Sequence, residues 1–277
     1  MFGVRLRVAY DGSDFAGWQR QPGLRTVQGE LERALAELVG ASVEVRGASR
    51  TDAGVHAHDQ VVAFDSPREL PMIGWVRALN GKLPDDVAVR QAEPCPVGYK
   101  PRFDALAKRY RYTLHLGPVR DPLVRRYAWH LGPRRARPWR GGMPSSPEGW
   151  LDLDAMTEAA KALVGTHDFR AFRASGDERE NTVRTLTEVS IVRPFGGRDD
   201  LVAIEVRGTA FMQHMVRIIV GTLVEVGRER MSPEELAALL DPTGSRDRAG
   251  ETAPACGLLL VEIELGRADQ TRDSAGS

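Results

Sequence analysis

The first part of the chain alternates strand-like and helix-like spacing of its apolar residues. Residues 3–11 alternate apolar and polar side chains, as a strand with one buried face does, and end at an Asp-Gly turn dipeptide. Thr26 is a suitable N-cap for a helix whose apolar stripe is Val27, Leu31, Leu35 and Leu38. The same spacing predicts strands over 43–48, 60–64 and 87–92 and a helix over 73–79. The order β-α-β-β-α-β is that of a ferredoxin-like unit.

The second part repeats this mixture of strands and helices after a cluster of prolines. Pro94, Pro96 and Pro101 indicate a boundary near residue 98. Strands are predicted over 109–116, 127–130, 183–192, 201–207 and 258–265, and helices over 153–164 and from Ser232 to about Leu240. The stretch 132–149 is rich in Gly, Pro, Arg and Ser and predicts an exposed loop. We therefore expect two α/β halves, 1–98 and 99–266, and a polar tail over 267–277.

A further helix is predicted after residue 210. Its apolar stripe is Phe211, Met215, Ile218, Ile219, Leu223 and Val226. A second stripe carries His214, Arg217 and Gly221. The glycine would let a neighbouring segment approach this helix closely.

Composition indicates a soluble globular protein. The chain has 277 residues, of which 42% are hydrophobic and 27% charged, and no apolar stretch approaches the roughly 20 residues that cross a bilayer. The start of the chain does not look like a secretory signal. Cys95 and Cys256 have no neighbouring thiols, so neither a disulfide framework nor a cysteine zinc site is predicted. A reducing cytoplasm is the expected location.

The charge is balanced overall but uneven along the chain. Lys and Arg number 38 and so do Asp and Glu, yet residues 100–140 hold twelve basic and only two acidic side chains. Aromatic residues alternate with these cations, as in surfaces that neutralise phosphates and stack on bases. A solvated basic surface is an equally good interpretation of the charges alone.

The most unusual segment is 47–58, GASRTDAGVHAH, which places charged groups and two histidines between apolar strands. From the residues alone, Arg50 and Asp52 could form an ordinary turn or a reactive site. His56 and His58, two residues apart, would share a strand face and could bind a metal ion, but the other histidines have no ligand spacing. No dinucleotide or P-loop phosphate motif is present.

Five blocks in register resemble the tRNA pseudouridine synthases of the TruA type. The most specific is Arg-Thr-Asp-Ala-Gly-Val-His-Ala at 50–57. The others are Tyr-Asp-Gly at 10–12 with Gly-Trp-Gln-Arg-Gln at 17–21, Asn80 with Leu-Pro at 83–84, Ala-Lys-Arg-Tyr-Arg-Tyr at 107–112, and Phe211 with His-Met-Val-Arg at 214–217. Gly-Leu-Leu-Leu at 257–260 is similar to the family's closing strand. The resemblance covers about residues 4–265.

The resemblance implies an α+β fold with two ferredoxin-like, RRM-like halves that share a mostly antiparallel sheet, with helices packed on it and the active-site cleft between the halves. It implies that Asp52 is the essential catalytic aspartate, with Arg50 and Arg217 beside it. Tyr110 matches the aromatic residue that stacks on the target uracil, and Leu258 matches an apolar wall of the pocket. Arg102, Lys108, Arg109 and Arg111 in the basic block are candidate tRNA contacts.

The implied reaction converts uridine to pseudouridine at positions 38, 39 and 40 of the tRNA anticodon arm, by a homodimer and without a metal or organic cofactor. A carboxylate can act as a nucleophile or stabilise positive charge at the sugar only while ionised, and a neighbouring guanidinium favours that form. Tyr110 is also a candidate base for the proton at C5 of the uracil.

Two departures from the family pattern, and two rival functions, remain at this point. Ser49 stands where the family usually has glycine, which we expect to narrow the conformations of the loop. The stretch 132–149 looks longer than the family's usual connection. The rivals are a non-catalytic RNA-binding protein on the same scaffold and a metal hydrolase using Asp52, His56 and His58.

Overall fold

The computed structural model describes residues 1–132, 151–177 and 179–266 of the chain. The strands are β1 Phe2–Tyr10, β2 Arg46–Gly47, β3 His56–Ser66, β4 Val87–Cys95, β5 Ala105–His115, β6 Trp129–His130, β7 Gly165–Asp168, β8 Val183–Val192, β9 Leu201–Gly208 and β10 Leu258–Leu265. The helices are α1 Val27–Val39, α2 Met72–Asn80, α3 Pro101–Asp104, α4 Leu153–Ala162, α5 Met215–Gly227 and α6 Pro233–Ala237, besides short 3₁₀ turns. Side-chain caps begin three helices, because the side chains of Thr26, the cap predicted from the sequence, and of Asp152 and Ser232 each accept a backbone N–H from the first turn.

All ten described strands belong to one sheet. Its order is β4-β1-β3-β10-β5-β9-β8-β7, with β2 beside β3 and β6 beside β5. Only the β3–β10 and β5–β6 pairs are parallel. The last strand therefore lies between strands of the two predicted halves and bonds to both. This arrangement confirms the prediction of an α+β fold with a mostly antiparallel sheet.

Alternation along the strands separates a buried face from a charged one. In β1, Val4, Leu6 and Val8 are buried in one apolar cluster with the α1 residues Leu31 and Leu35. In β5, Tyr110, Tyr112 and Leu114 are buried in the same cluster as Met215 and Ile218 of α5. On the other face Arg5 pairs with Glu93, Arg7 with Asp59, and Arg111 with Glu205.

Several predicted elements are shorter in the structure, among them the strand over 127–130, which is Trp129–His130, and the helix over 153–164, which ends at Ala162. Of the strand predicted over 43–48, only Arg46–Gly47 pairs with β3, because the N–H and C=O of Val45 bond to the side chains of Glu32 and Gln28 on α1. The helix predicted from Phe211 begins at Met215, because His214 adopts a left-handed conformation with φ 60°.

The loop over 132–149 and the tail over 267–277 lie outside the described residues, except for residue 132. Within the described ranges, no helix has the length and apolar character needed to span a bilayer.

Candidate active site

The loop between β2 and β3 is fixed at its start by a buried amide. Gln60, which is fully buried, accepts a hydrogen bond from the Ser49 N–H at 3.2 Å and donates one to the Ser49 carbonyl at 2.8 Å. The glutamine thus replaces the strand pairing that ends at Gly47. These two bonds hold the backbone immediately before Arg50.

The middle of the loop is held by the segment after β1. The Trp18 N–H donates to the Thr51 carbonyl at 3.0 Å, and the Tyr10 and Thr51 hydroxyls lie 2.8 Å apart. Burial raises the pKa of the Tyr10 phenol, which therefore stays neutral and available for this bond. The Tyr10 and Trp18 blocks of the sequence are thus supports for the loop that carries Asp52.

The two histidines at the start of β3, His56 and His58, have separate environments. His56 is buried, its Nδ1 accepts the Gly12 N–H at 3.0 Å, and its Nε2 lies 2.9 Å from the Arg126 carbonyl. His58 is exposed and contacts the Arg90 guanidinium. No group of three or more His, Cys, Asp or Glu side chains is placed to hold a metal ion within 1–132, 151–177 and 179–266. The structure does not assemble the metal set of Asp52, His56 and His58.

Asp52 meets a guanidinium from the other part of the chain. Its Oδ2 lies 3.4 Å from Nη1 of Arg217, in the first turn of α5. The side chain of Asp52 is 27% exposed and that of Arg217 is 14% exposed. The Arg217 Nε also donates to the Ala253 carbonyl at 2.7 Å, which fixes the direction of the guanidinium. An aspartate that is open to the cleft is therefore paired with a cation that is largely covered.

His214, which the sequence placed on one helix stripe with Arg217 but did not assign to the site, is a second neighbour of Asp52. Its Nε2 lies 3.5 Å from the same Oδ2, and it is the N-cap of α5. Of the described non-glycine residues, only His214 and Glu229 have positive φ. The first residues of α5, Met215 and Val216, line the same cleft as Asp52. The sequence signal was available, because His214 and Arg217 stand three residues apart in one block.

Tyr110 lies buried on the wall of the same cleft. Its ring packs edge-on against Phe211 at a centroid distance of 5.0 Å, and its hydroxyl lies 3.2 Å from Ser49 Oγ. Burial, together with the negative charge of Asp52, raises the pKa of Tyr110 to about 12. The phenol is therefore neutral near pH 7.

These groups surround a cleft of about 770 Å³. Six of the predicted site residues line it: Arg50, Asp52, Arg102, Lys108, Tyr110 and Leu258. Arg217 reaches it through its contact with Asp52. Arg50 is exposed and makes no ion pair with any described residue, so its guanidinium is available to a ligand.

Arg109 and Arg111 do not line the cleft. They alternate with Lys108 and Tyr110 along β5, so their side chains lie on the opposite face of the sheet. Arg111 pairs there with Glu205 and stacks over Phe195 at 4.9 Å. The basic block of the sequence is thus divided between two faces, and Arg134, Arg135, Arg137 and Arg140 lie outside the described residues.

The cleft also contains residues that sequence reasoning missed. Arg179 and Gln213 line it, and no spacing or motif in the sequence linked them to Asp52. Arg179 is held by Asp177, whose carboxylate lies 3.0 Å from the arginine Nε. Only the folded chain brings the segment before β8 to this cleft.

Comparison with known proteins decides the family. Residues 7–104 and 159–264 match the family model described as tRNA pseudouridine synthase. The chain belongs to the tRNA pseudouridine synthase family. The matched segments contain Arg50, Asp52, Arg217 and Leu258, whereas Lys108 and Tyr110 lie between them.

Individual relatives of this family align over nearly the whole chain. A protein of Syntrophotalea carbinolica named tRNA pseudouridine synthase A is 43% identical over 96% of this chain and 97% of its own length. Proteins with the same name from Geobacter sp. strain M21 and Brevibacillus brevis are each 42% identical, over 95% and 94% of this chain and 98% of their own lengths. Lys108 and Tyr110 belong to the part of the chain between the two family segments, and these full-length relatives span it.

Proposed function

We propose that this tRNA pseudouridine synthase family member isomerises uridine to pseudouridine at positions 38, 39 and 40 of the tRNA anticodon arm, with Asp52 as the catalytic carboxylate. One observation carries the assignment of Asp52. Its carboxylate lies in a cleft of about 770 Å³, paired with Arg217, and the buried Tyr110 lines the same cleft. A protein that only bound RNA would gain nothing from a carboxylate facing phosphates.

The reaction needs no external reagent. The bond between N1 of uracil and C1′ of ribose breaks, the base turns while bound, and a bond from C5 to C1′ forms. The proton leaves C5, and N1 gains one, so the product has the composition of the substrate. What the protein must supply is a charged group at the sugar or base, a way to hold the free uracil, and a proton acceptor.

Asp52 can supply the charged group by three routes. It can attack C1′, attack C6 of the base, or assist elimination to a glycal, and each route uses the ionised carboxylate. The cation that pairs with this carboxylate is Arg217, whose Nη1 lies 3.4 Å from Asp52 Oδ2. Removing Arg217 would leave Asp52 with His214 as its only ionisable partner among the described residues.

The cleft walls suit a base that has left its stack. Tyr110 offers an aromatic surface for the uracil and Leu258 an apolar wall, while Arg50 and Arg102 offer cations for the flanking phosphates. Flipping the target out of the stem costs a few kcal/mol, which these contacts must offset.

We also propose that the protein acts as a homodimer in the cytoplasm, and that its two halves meet near residue 98. These proposals rest on the family resemblance and on the two unpaired thiols. Light scattering in solution tests the first, since the chain mass is 30.5 kDa and a homodimer has twice that mass.

Tritium release from tRNA labelled at C5 of uridine tests the function. The wild type should release tritium from positions 38 to 40, and Asp52→Asn should release none while binding tRNA as tightly. Asp85→Asn is the matched control, since Asp85 is exposed on the loop after α2. Binding without release by the wild type would favour the non-catalytic RNA-binding protein, and full activity of Asp52→Asn would overturn the role of Asp52.

A further inference from the structure

Ser49, the residue at which this chain departs from its family's usual glycine, joins two groups of the cleft wall. Its hydroxyl lies 3.2 Å from the Tyr110 hydroxyl and 3.2 Å from Nζ of Lys108. The serine itself is buried, and the Gln60 amide holds its backbone on both sides. A glycine here would leave Tyr110 and Lys108 without this connection.

Lys108 is directed into the protein rather than toward a phosphate. Its Nζ also donates to the Ala48 carbonyl at 3.3 Å, so both of its hydrogen bonds go to the loop before Asp52. No carboxylate pairs with it among the described residues. An amine held in this way can exchange a proton with Ser49.

We propose that Tyr110, Ser49 and Lys108 form a proton relay that accepts the C5 proton of the rotated uracil. The relay rests on the proposed function. The C5–H bond breaks, its electron pair forms the C5–C6 double bond, and the π pair between C6 and N1 moves to N1, which takes a proton from water. The C5 proton goes to the Tyr110 oxygen. The phenolic proton passes to Ser49 Oγ, the serine proton passes to Lys108 Nζ, and the neutral amine becomes an ammonium.

The relay explains how Tyr110 accepts a proton although its phenol is neutral at pH 7. A phenol with a pKa of about 12 is almost never ionised at pH 7, so it needs a group that takes its proton as the substrate gives one up. Burial, together with the positive charges of Arg102 and Arg179, lowers the pKa of Lys108 to about 8. About a tenth of the molecules therefore carry the neutral amine at pH 7.

The other titratable or charged groups on the cleft wall are Glu44, Arg50, Asp52, Arg102, Arg179 and His214. None of them is changed in the variants below, so a difference in pH profile between wild type and variant reports on Lys108.

Single-turnover formation of pseudouridine in tRNA, made with ordinary or C5-deuterated uridine, tests the relay. Ser49→Ala should react about ten- to a hundredfold more slowly. It should also show a primary deuterium isotope effect larger than that of the wild type. Ser49→Thr, which retains the hydroxyl, should recover most of the rate and lose the added isotope effect.

Lys108→Arg separates proton transfer from charge. The arginine keeps a cation but does not become neutral, so this variant should behave like Ser49→Ala. It should also lack the rise in rate through about pH 8 that the relay predicts for the wild type. Lys161→Arg, on the exposed side of α4, is the matched control and should keep the wild-type rate and profile.

The outcomes that overturn the relay differ from the outcome that overturns the proposed function. Ser49→Ala at the wild-type rate, or slow without an added isotope effect, overturns the relay, as does Lys108→Arg at the wild-type rate. These outcomes leave the proposed function intact, because the wild type still forms pseudouridine. A wild type that forms none overturns the function and the relay together.

Discussion

At the scale of single residues, the site depends on side chains that hydrogen bonds to the backbone hold in place. Arg217 reaches Asp52 with Nη1 while its Nε is committed to the Ala253 carbonyl, and Gln60 orients Ser49 through two backbone bonds. Such bonds lower the entropy that the groups lose when substrate binds. The role of each residue therefore depends both on its chemical group and on the backbone hydrogen bond, its anchor, that orients this group.

Arg217→Lys tests the anchor directly. A lysine keeps the charge, but its single nitrogen cannot contact the Ala253 carbonyl as Nε does and also present a planar fork to Asp52. We expect the single-turnover rate to fall about a hundredfold, the scale of losing one fixed donor, with the Kd for tRNA little changed. Arg77→Lys on the exposed side of α2 is the control. A wild-type rate for Arg217→Lys would show that charge alone suffices.

Lys108 predicts the pH dependence of stability. Its pKa falls from 10.5 to about 8 on folding, so between these values the unfolded chain binds a proton that the folded chain does not. The free energy of unfolding should therefore rise with pH through this window because of Lys108. Urea unfolding at about pH 7.5 and about pH 10 should show the wild type gaining stability relative to Lys108→Met. A constant difference between the two proteins would contradict the shift.

At the scale of elements, α5 and the segment before β10 form one unit that positions Arg217. The Gly250 N–H donates to Thr222 Oγ1 at 3.0 Å, and the Ala253 N–H donates to the Arg217 carbonyl at 3.1 Å. The close approach expected at Gly221 is confirmed, since a Cβ there would overlap the Glu251 carbonyl oxygen. Contacts along the length of α5, and not only at its first turn, therefore fix the position of Arg217.

Gly221→Ala should push α5 and residues 250–253 apart. The overlap is with backbone, which moves only if residues 250–253 shift, so we expect a loss of about 1–3 kcal/mol in stability and slower turnover. Gly74→Ala in α2 is the matched control, because its added Cβ has ordinary contacts at 3.6 Å and beyond. Alanine should stabilise that helix by up to about 1 kcal/mol. Urea midpoints of the two variants that move in the same direction would refute this account.

At the scale of the whole molecule, the single sheet divides the charge of the basic block. Arg102 and Lys108 lie on the cleft side, whereas Arg111 lies on the other face in an ion pair with Glu205. The sheet is continuous through β10, and the division into two halves near residue 98 stays a prediction. The tRNA contacts of Arg109 and Arg111 also stay predictions.

Salt titration of tRNA binding distinguishes the two faces. If tRNA contacts only the cleft face, Arg102→Ala should reduce the slope of log K against log salt by about one unit, because it removes one phosphate contact. Arg111→Ala should leave the slope unchanged, since that guanidinium is already neutralised by Glu205. A reduced slope for Arg111→Ala would place RNA on the opposite face as well.

The sequence by itself determined most of the elements and the α+β class, and it named Asp52 as the candidate catalytic group. Periodicity and caps predicted α1, α4 and the helix after Ser232, because these depend on neighbours within a few residues. The Arg-Thr-Asp block pointed to Asp52, because a resemblance over such a run does not depend on where the loop lies. Local signals failed where partners are distant, as at Val45, whose backbone bonds go to α1 side chains instead of a strand.

Only the tertiary structure showed that His214 and Arg179 lie with Arg217 around the cleft that holds Asp52. Arg217 and His214 are more than 160 positions away, and Arg179 has no motif, so their place at the cleft follows from the packing of α5 and the order of the strands. The structure also showed that Arg109 and Arg111 lie on the face away from the cleft. Neighbouring residues of a strand lie on opposite faces of the sheet, and a count of charges along the chain does not show which face each residue occupies. The chemistry of a side chain is known from its residue type alone, whereas its ion-pair partners depend on distances that exist only after the chain has folded.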